Sequence, residues 1–205
     1  MGFPFRRAVL IGFIALLVVP LLPVSAYRLT YREQLYELYH RHFDTYPERI
    51  AENVYWLEQA LRSDFANPLN ALAEVSTPRE WEWYRNLFTM HINLKLVDLY
   101  LQWGAEYMKF TAFFYNAPWQ RQNLDSLERA ERYFQYATVY WDAAQRWSQA
   151  AAPIRFVHLE EIQAWEDEHH RIRSGDLDYG RIIERHLDRV AEVRAAFQAM
   201  DADTY

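Results

Sequence analysis

Two stretches of this 205-residue chain carry the spacing by which a helix hands two ligands to one metal: Glu37-x-x-His40 and Glu166-x-x-His169. Residues three apart on a helix point the same way, and a di-iron-type carboxylate bundle uses such a pair on each of two helices. It also needs an inward glutamate from each of two others, and Glu58 and Glu131 are the candidates. Neither stands on a clear apolar seam, and so short a motif recurs by chance in a helical chain. His169 falls between Trp165 and Ile172, which suits a hydrogen-bonded core histidine equally well. A metal-binding bundle is therefore the alternative reading. The primary reading names no metal ligand and no cofactor.

Other polar constellations are less specific. His158, Glu161, His169 and His170 cluster in sequence, as a solvated face ordinarily does. His91, Lys95, Asp98, Gln102, Glu106 and Lys109 follow helical steps of three and four. They form either a polar groove or the one wet face of a buried helix, with Lys95–Asp98 and Glu106–Lys109 pairing along it. No nucleophile elbow, phosphate loop or dinucleotide fingerprint is present. The chain has no cysteine, which removes thiol nucleophiles, thiolate metal sites and disulfides. No catalytic residue can be named, and the expected function is not enzymatic.

What the chain has in surplus is aromatic surface: 17% of residues, with 8 Trp and 15 Tyr. Aromatic side chains bury large areas and are enriched at protein interfaces. Phe113, Phe114, Tyr115 and Trp119 crowd one connection, where they serve either as docking anchors or as a cover folded over the core. Tyr133, Tyr136 and Tyr140 line one face of a helix beside its apolar seam. These seven are the candidate interaction residues.

The elements that must position them are helices. Arg6-Arg7, the apolar run from Ala8 to Leu22 and the small residues Val24-Ser25-Ala26 make 1–26 a secretory signal, or else a membrane anchor. Residues 27–205 then form a single domain, carrying 20 Lys and Arg against 28 Asp and Glu. That acidic balance argues against a nucleic-acid partner and limits any membrane attachment to the leader. Four pairs mark helix starts by the capping-box pattern: Thr30/Glu33, Thr45/Glu48, Thr77/Glu80 and Asp125/Glu128. The pattern predicts helices near 30–44, 47–65, 78–115, 124–151, 157–173 and 178–200, with a break at Ala117-Pro118. Over 78–115 two apolar seams run side by side, so that helix must pack on two sides. The expected fold is all-α: an antiparallel bundle or helix-hairpin stack of about six helices.

Tyr100, Trp103, Gly104 and Tyr107, followed by Ala130, Phe134 and Ala137, resemble the two halves of a tetratricopeptide repeat. Trp103 replaces the motif leucine, fourteen extra residues separate the halves, and Asp142 stands where the motif has proline. The runs 67–72, 90–96 and 114–119 are similar to exported helical proteins of spirochaetes, some of which build the periplasmic collar of the flagellar motor. The resemblance implies a TPR-like scaffold whose partners are other envelope proteins, a periplasmic flagellar-motor assembly among them. The expectation is thus an exported, non-catalytic interaction protein of the periplasm or cell envelope.

Overall fold

In a computed structural model, which describes residues 29–108 and 117–201, six α-helices account for most of the chain: α1 Arg32–Thr45, α2 Ile50–Arg62, α3 Pro78–Tyr107, α4 Ala117–Ala151, α5 Gln163–Ser174 and α6 Tyr179–Ala199. Short 3-10 turns stand at Pro68–Asn70 and Glu160–Ile162. Among the described residues there is no strand, and an isolated bridge joins Tyr31 to Asp64. The chain is all-α, as its sequence pattern requires. The proposed leader, residues 1–26, lies outside the described residues.

One of the four expected capping boxes forms as drawn. The Thr77 hydroxyl accepts from the Glu80 amide at 3.2 Å, and Glu80 Oε2 accepts from the Ser76 and Thr77 amides at 2.8 and 2.9 Å. Those backbone donors hold the Glu80 carboxyl below its ordinary range. Pro78 takes the first helical position, where a missing N–H costs nothing. Thr77→Ala is expected to cost about 1 kcal/mol in a thermal or urea melt.

The other three resolve differently. At α1 the capping side chain is Gln34, whose Oε1 accepts from the Thr30 and Tyr31 amides. Glu33 is freed to turn inward, where it is 3% exposed and accepts from the Ala66 amide at 2.8 Å and the Tyr84 hydroxyl at 3.4 Å. Thr45 closes α1, donating to Arg41 O, and α2 begins at Ile50 rather than 47. Asp125 and Glu128 lie inside α4, which starts at Ala117. Pro118 falls in its first turn, so Ala117-Pro118 opens a helix instead of breaking the chain. α3 ends at Tyr107, eight residues before the expected boundary.

α3 and α4 form the central antiparallel hairpin and share the largest interface in the molecule. Both expected seams of α3 are buried from 87 to 99, with Phe88, Ile92, Leu96 and Leu99 on one and Leu87, Met90, Leu94 and Val97 on the other, whereas Leu101, Trp103 and Tyr107 are half-buried and Phe110 lies outside the described residues. At Gly104 the Phe134 ring of α4 packs directly on the α3 backbone. A Cβ there would stand 2.4 Å from the ring of Phe134, itself fully buried with Ala130 and Ala137. The α1–α2 hairpin and α5 cover α3, and α6 covers α4.

A single arginine ties α1 to the end of α2. Arg32 Nε donates to Ala60 O at 3.0 Å, and Nη2 donates to Leu61 O and Ser63 O at 3.0 and 3.1 Å. Nη1 reaches Thr89 Oγ1 on α3 at 2.7 Å. The guanidinium lies 4.1 Å above the Phe65 ring. Carbonyls at a helix C-terminus lack intrahelical donors and carry partial negative charge, so a cation with a planar fork suits them.

Candidate functional site

Below the edge of the α1–α2 hairpin, the α3–α4 surface opens into a cleft of about 640 Å³ lined by aromatic rings. Tyr100 and Trp103 come from α3, and Tyr133, Tyr136 and Tyr140 from α4. Steps of three and four on each antiparallel helix bring the two stripes face to face. Trp103 stacks on Tyr133 with centroids 4.2 Å apart and planes 16° apart, and Tyr100 stacks on Tyr140 at 5.4 Å and 12°. Tyr136 meets Tyr100 at 5.3 Å and is 45% exposed.

The floor of the cleft is polar. Glu58, from α2, accepts through the same Oε1 from Tyr100 OH at 2.9 Å and Tyr140 OH at 2.8 Å. Its Oε2 accepts from Arg62 at 3.2 Å. Burial raises the pKa of both phenols, and donation into the Glu58 carboxylate raises them further. These tyrosines therefore stay protonated and act as fixed donors. At the rim, Arg132 pairs with Glu128, whereas Arg129 makes no ion pair among the described residues and lies 5.7 Å from the centroid of Tyr107.

A second polar system is internal. Tyr36 OH and His91 Nε2 are 2.6 Å apart, as are His91 Nδ1 and Glu168 Oε2. Burial lowers the pKa of His91 and so favours the neutral ring, with one proton, over the cation. A carboxylate only accepts, which places that proton on Nδ1 and makes Nε2 the acceptor for the Tyr36 hydroxyl. Trp165 stacks on the imidazole at 5.1 Å. Further along the same face of α3, Lys95, Asp98 and Gln102 border a smaller cleft of about 240 Å³ with Tyr39, His40 and Phe43. Among the described residues the expected Lys95–Asp98 pair does not form, and Asp98 accepts from Tyr179 OH of α6.

The metal pattern does not assemble. Glu166 accepts from Trp83 Nε1, the Leu159 amide and His158 Nδ1, and His169 Nδ1 meets Ser148 Oγ at 2.9 Å. Glu58 is held by the cleft tyrosines, and Glu131 pairs with Arg194. Among the described residues no three or more His, Cys, Asp or Glu side chains stand together as a metal site.

Of the seven candidate interaction residues, Tyr133, Tyr136 and Tyr140 are brought together in the cleft. Trp119 is 57% exposed but lies ten residues before Arg129, about 15 Å along the helix, so it does not join them. Phe113, Phe114 and Tyr115 lie outside the described residues. Tyr100, Trp103 and Arg129 were not among the candidates. Their signal was available: the α3 stripe at 100, 103 and 107 faces the α4 stripe at 133, 136 and 140 once the hairpin is antiparallel.

No curated protein and no solved structure matches the chain. A family described as a domain of unknown function (DUF8513) matches over residues 79–200. That stretch takes in α3 to α6, including all five cleft aromatics, and spans more than half of the chain. The chain belongs to the DUF8513 family.

Proposed function

We propose that this chain is an exported, non-catalytic binding module of the cell envelope, which holds a segment of another envelope protein in the tyrosine cleft. The observation that carries this reading is the double lock of Tyr100 and Tyr140 on one oxygen of Glu58. It fixes the rings before any partner arrives, and a preformed surface avoids the ordering cost of binding. Tyrosine and tryptophan give large contact area with few rotatable bonds, which makes them frequent interface anchors. Phenols held protonated support recognition rather than proton transfer. Helix backbones have their own hydrogen bonds satisfied, so the partner is read through side chains and not by strand addition. Ring edges beside Arg129, which makes no ion pair among the described residues, suit a segment with apolar or aromatic side chains next to a carboxylate. The export expectation rests on the leader, and the resemblance noted above makes a periplasmic flagellar-motor assembly a partner to look for.

The test is a photo-crosslinking residue at Tyr136, compared with one at the exposed Glu192 of α6, in cells that express the full chain. A discrete protein adduct is expected from 136 and not from 192. With the partner identified, Tyr136→Ala is expected to weaken binding by about 2 kcal/mol while stability moves by less than about 0.5 kcal/mol. Adducts alike from both positions, or none, would sink the cleft as an interface.

A further inference from the structure

Two side chains break the rule that large apolar surface is covered. Phe156 is 100% exposed and Leu69 is 92% exposed, whereas the other exposed large apolar residues do not exceed 58%. Phe156 also holds φ at 63°, a left-handed conformation that a bulky residue rarely adopts. Among the described residues neither packs against the hydrophobic core. Leu69 sits on the 3-10 turn of the 63–77 connection, and Phe156 on the 152–162 connection. The two connections meet, since the Glu74 amide donates to Glu161 Oε1 at 3.1 Å.

Both lie at one end of the bundle, where α1, α3 and α5 begin and α2 and α4 finish. The chain enters the fold at that same end, because the Arg32 amide donates to Asp64 O and Tyr31 bridges Asp64. Six residues, 23–28, separate Leu22, the end of the apolar run, from Leu29, the first described residue, a span of seven Cα-to-Cα steps. Seven such steps reach at most about 25 Å. If Ala8–Leu22 occupies a bilayer, this end of the bundle lies at or close to the lipid surface, and the opposite end, some 45 Å away along the 30 residues of α3, does not.

We propose that the end formed by the 63–77 and 152–162 connections is a membrane-contact surface, on which Phe156 and Leu69 enter the interfacial zone of the bilayer. Phenylalanine and leucine on exposed tips suit that zone. Acidic residues Asp64, Glu74, Glu160 and Glu161 are exposed on these connections, so attraction to anionic headgroups is not the driving force. The contact is made by burial of apolar surface, and it tolerates salt and zwitterionic lipid.

The chain has no cysteine, which makes site-specific labelling clean. Single substitutions Phe156→Cys and Leu69→Cys, and the controls Tyr46→Cys and Trp119→Cys, would carry an environment-sensitive fluorophore. The full chain would be reconstituted with phosphatidylcholine vesicles, its N-terminus read by mass spectrometry. All four positions are exposed, so the changes leave the fold in place, and circular dichroism verifies this for each. The expected result is a blue shift at 156 and 69 with quenching by nitroxide-bearing lipid, unaltered at high salt, and neither effect at 46 and 119. Labels at 156 and 69 that stay in water overturn the proposal, as does a chain the vesicles do not capture. A blue shift without lipid quenching also overturns it, by assigning this end to a protein partner or a second copy. The outcome does not depend on the tyrosine cleft, because Tyr136 plays no part in it.

Discussion

Arg32→Met lowers the stability of the bundle by about 3 kcal/mol or more, the largest loss expected from a residue outside the apolar core. Methionine keeps much of the arginine stem's volume but none of its donors. Ala60 O, Leu61 O, Ser63 O and Thr89 Oγ1 each lose a donor at once. Three of these are carbonyls at the end of α2, of which Ala60 O keeps the Ser63 amide at 3.2 Å. The cation over Phe65 is lost as well. Arg32→Lys restores the charge but not the planar fork, so it is expected to recover less than half of the loss. Urea melts of the two variants measure both quantities. A methionine variant within about 1 kcal/mol of the parent would mean that water satisfies the end of α2 unaided.

The second large effect is on acid stability, and it centres on His91. Burial keeps the folded-state pKa of His91 below its ordinary value, although the Glu168 carboxylate pulls it upward. Other charged or titratable groups facing it are Lys95 and Asp98 of α3 and His40 of α1. Above the unfolded pKa of about 6.5, neither state binds the proton and the histidine imposes no penalty. Below it the unfolded chain takes up a proton that the folded chain refuses, so stability falls with pH. His169, 8% exposed and also lowered by burial, has the same sign. Each contributes a slope of up to about 1.4 kcal/mol per pH unit. Melts at pH 7.5 and 5.5 are expected to show a clear drop at the lower value. His91→Leu removes one titration and leaves Tyr36 OH and Glu168 without their shared partner. It is expected to cost about 2–4 kcal/mol at neutral pH and to flatten the acid loss. A variant as stable as the parent, with the same pH profile, would remove His91 from the explanation.

The fold was legible where a seam spans several turns. Phe88, Ile92, Leu96 and Leu99 repeat often enough to identify a helix buried on two sides, and it is. Helix starts were less legible, because a Thr-x-x-Glu pair has the same appearance wherever it falls. Glu33 shows the difficulty: as an N3-like residue it could reach back, yet a buried amide at Ala66 and the Tyr84 hydroxyl offer it stronger partners. Those partners lie 33 and 51 residues away, beyond any local pattern. Asp125 and Glu128 failed for a different reason. Pro118 can serve as a first-turn residue, and a helix that has already begun has no use for a second cap.

Half of the candidate site was legible as well. Tyr133, Tyr136 and Tyr140 form one stripe on one helix, and spacing alone groups them. The acid that locks two of the rings was singled out only as a possible metal ligand. Nothing in its neighbourhood tells Glu58 that two phenols, 42 and 82 residues away, will converge on one of its oxygens. The Glu-x-x-His pairs illustrate the reverse. Their spacing is right, but Trp83, His158 and Ser148 engage Glu166 and His169 first.

The cleft is joined from two separate stretches of chain. Its rings belong to the span that defines the family, 79–200, while its carboxylate arrives on α2, outside that span. Exchanging the α1–α2 hairpin for another would leave the stacked faces of Trp103 and Tyr133 in place and release the hydroxyls of Tyr100 and Tyr140. In this architecture the helical pair sets how broad the aromatic surface is. The α1–α2 hairpin, through Glu58, sets its polarity.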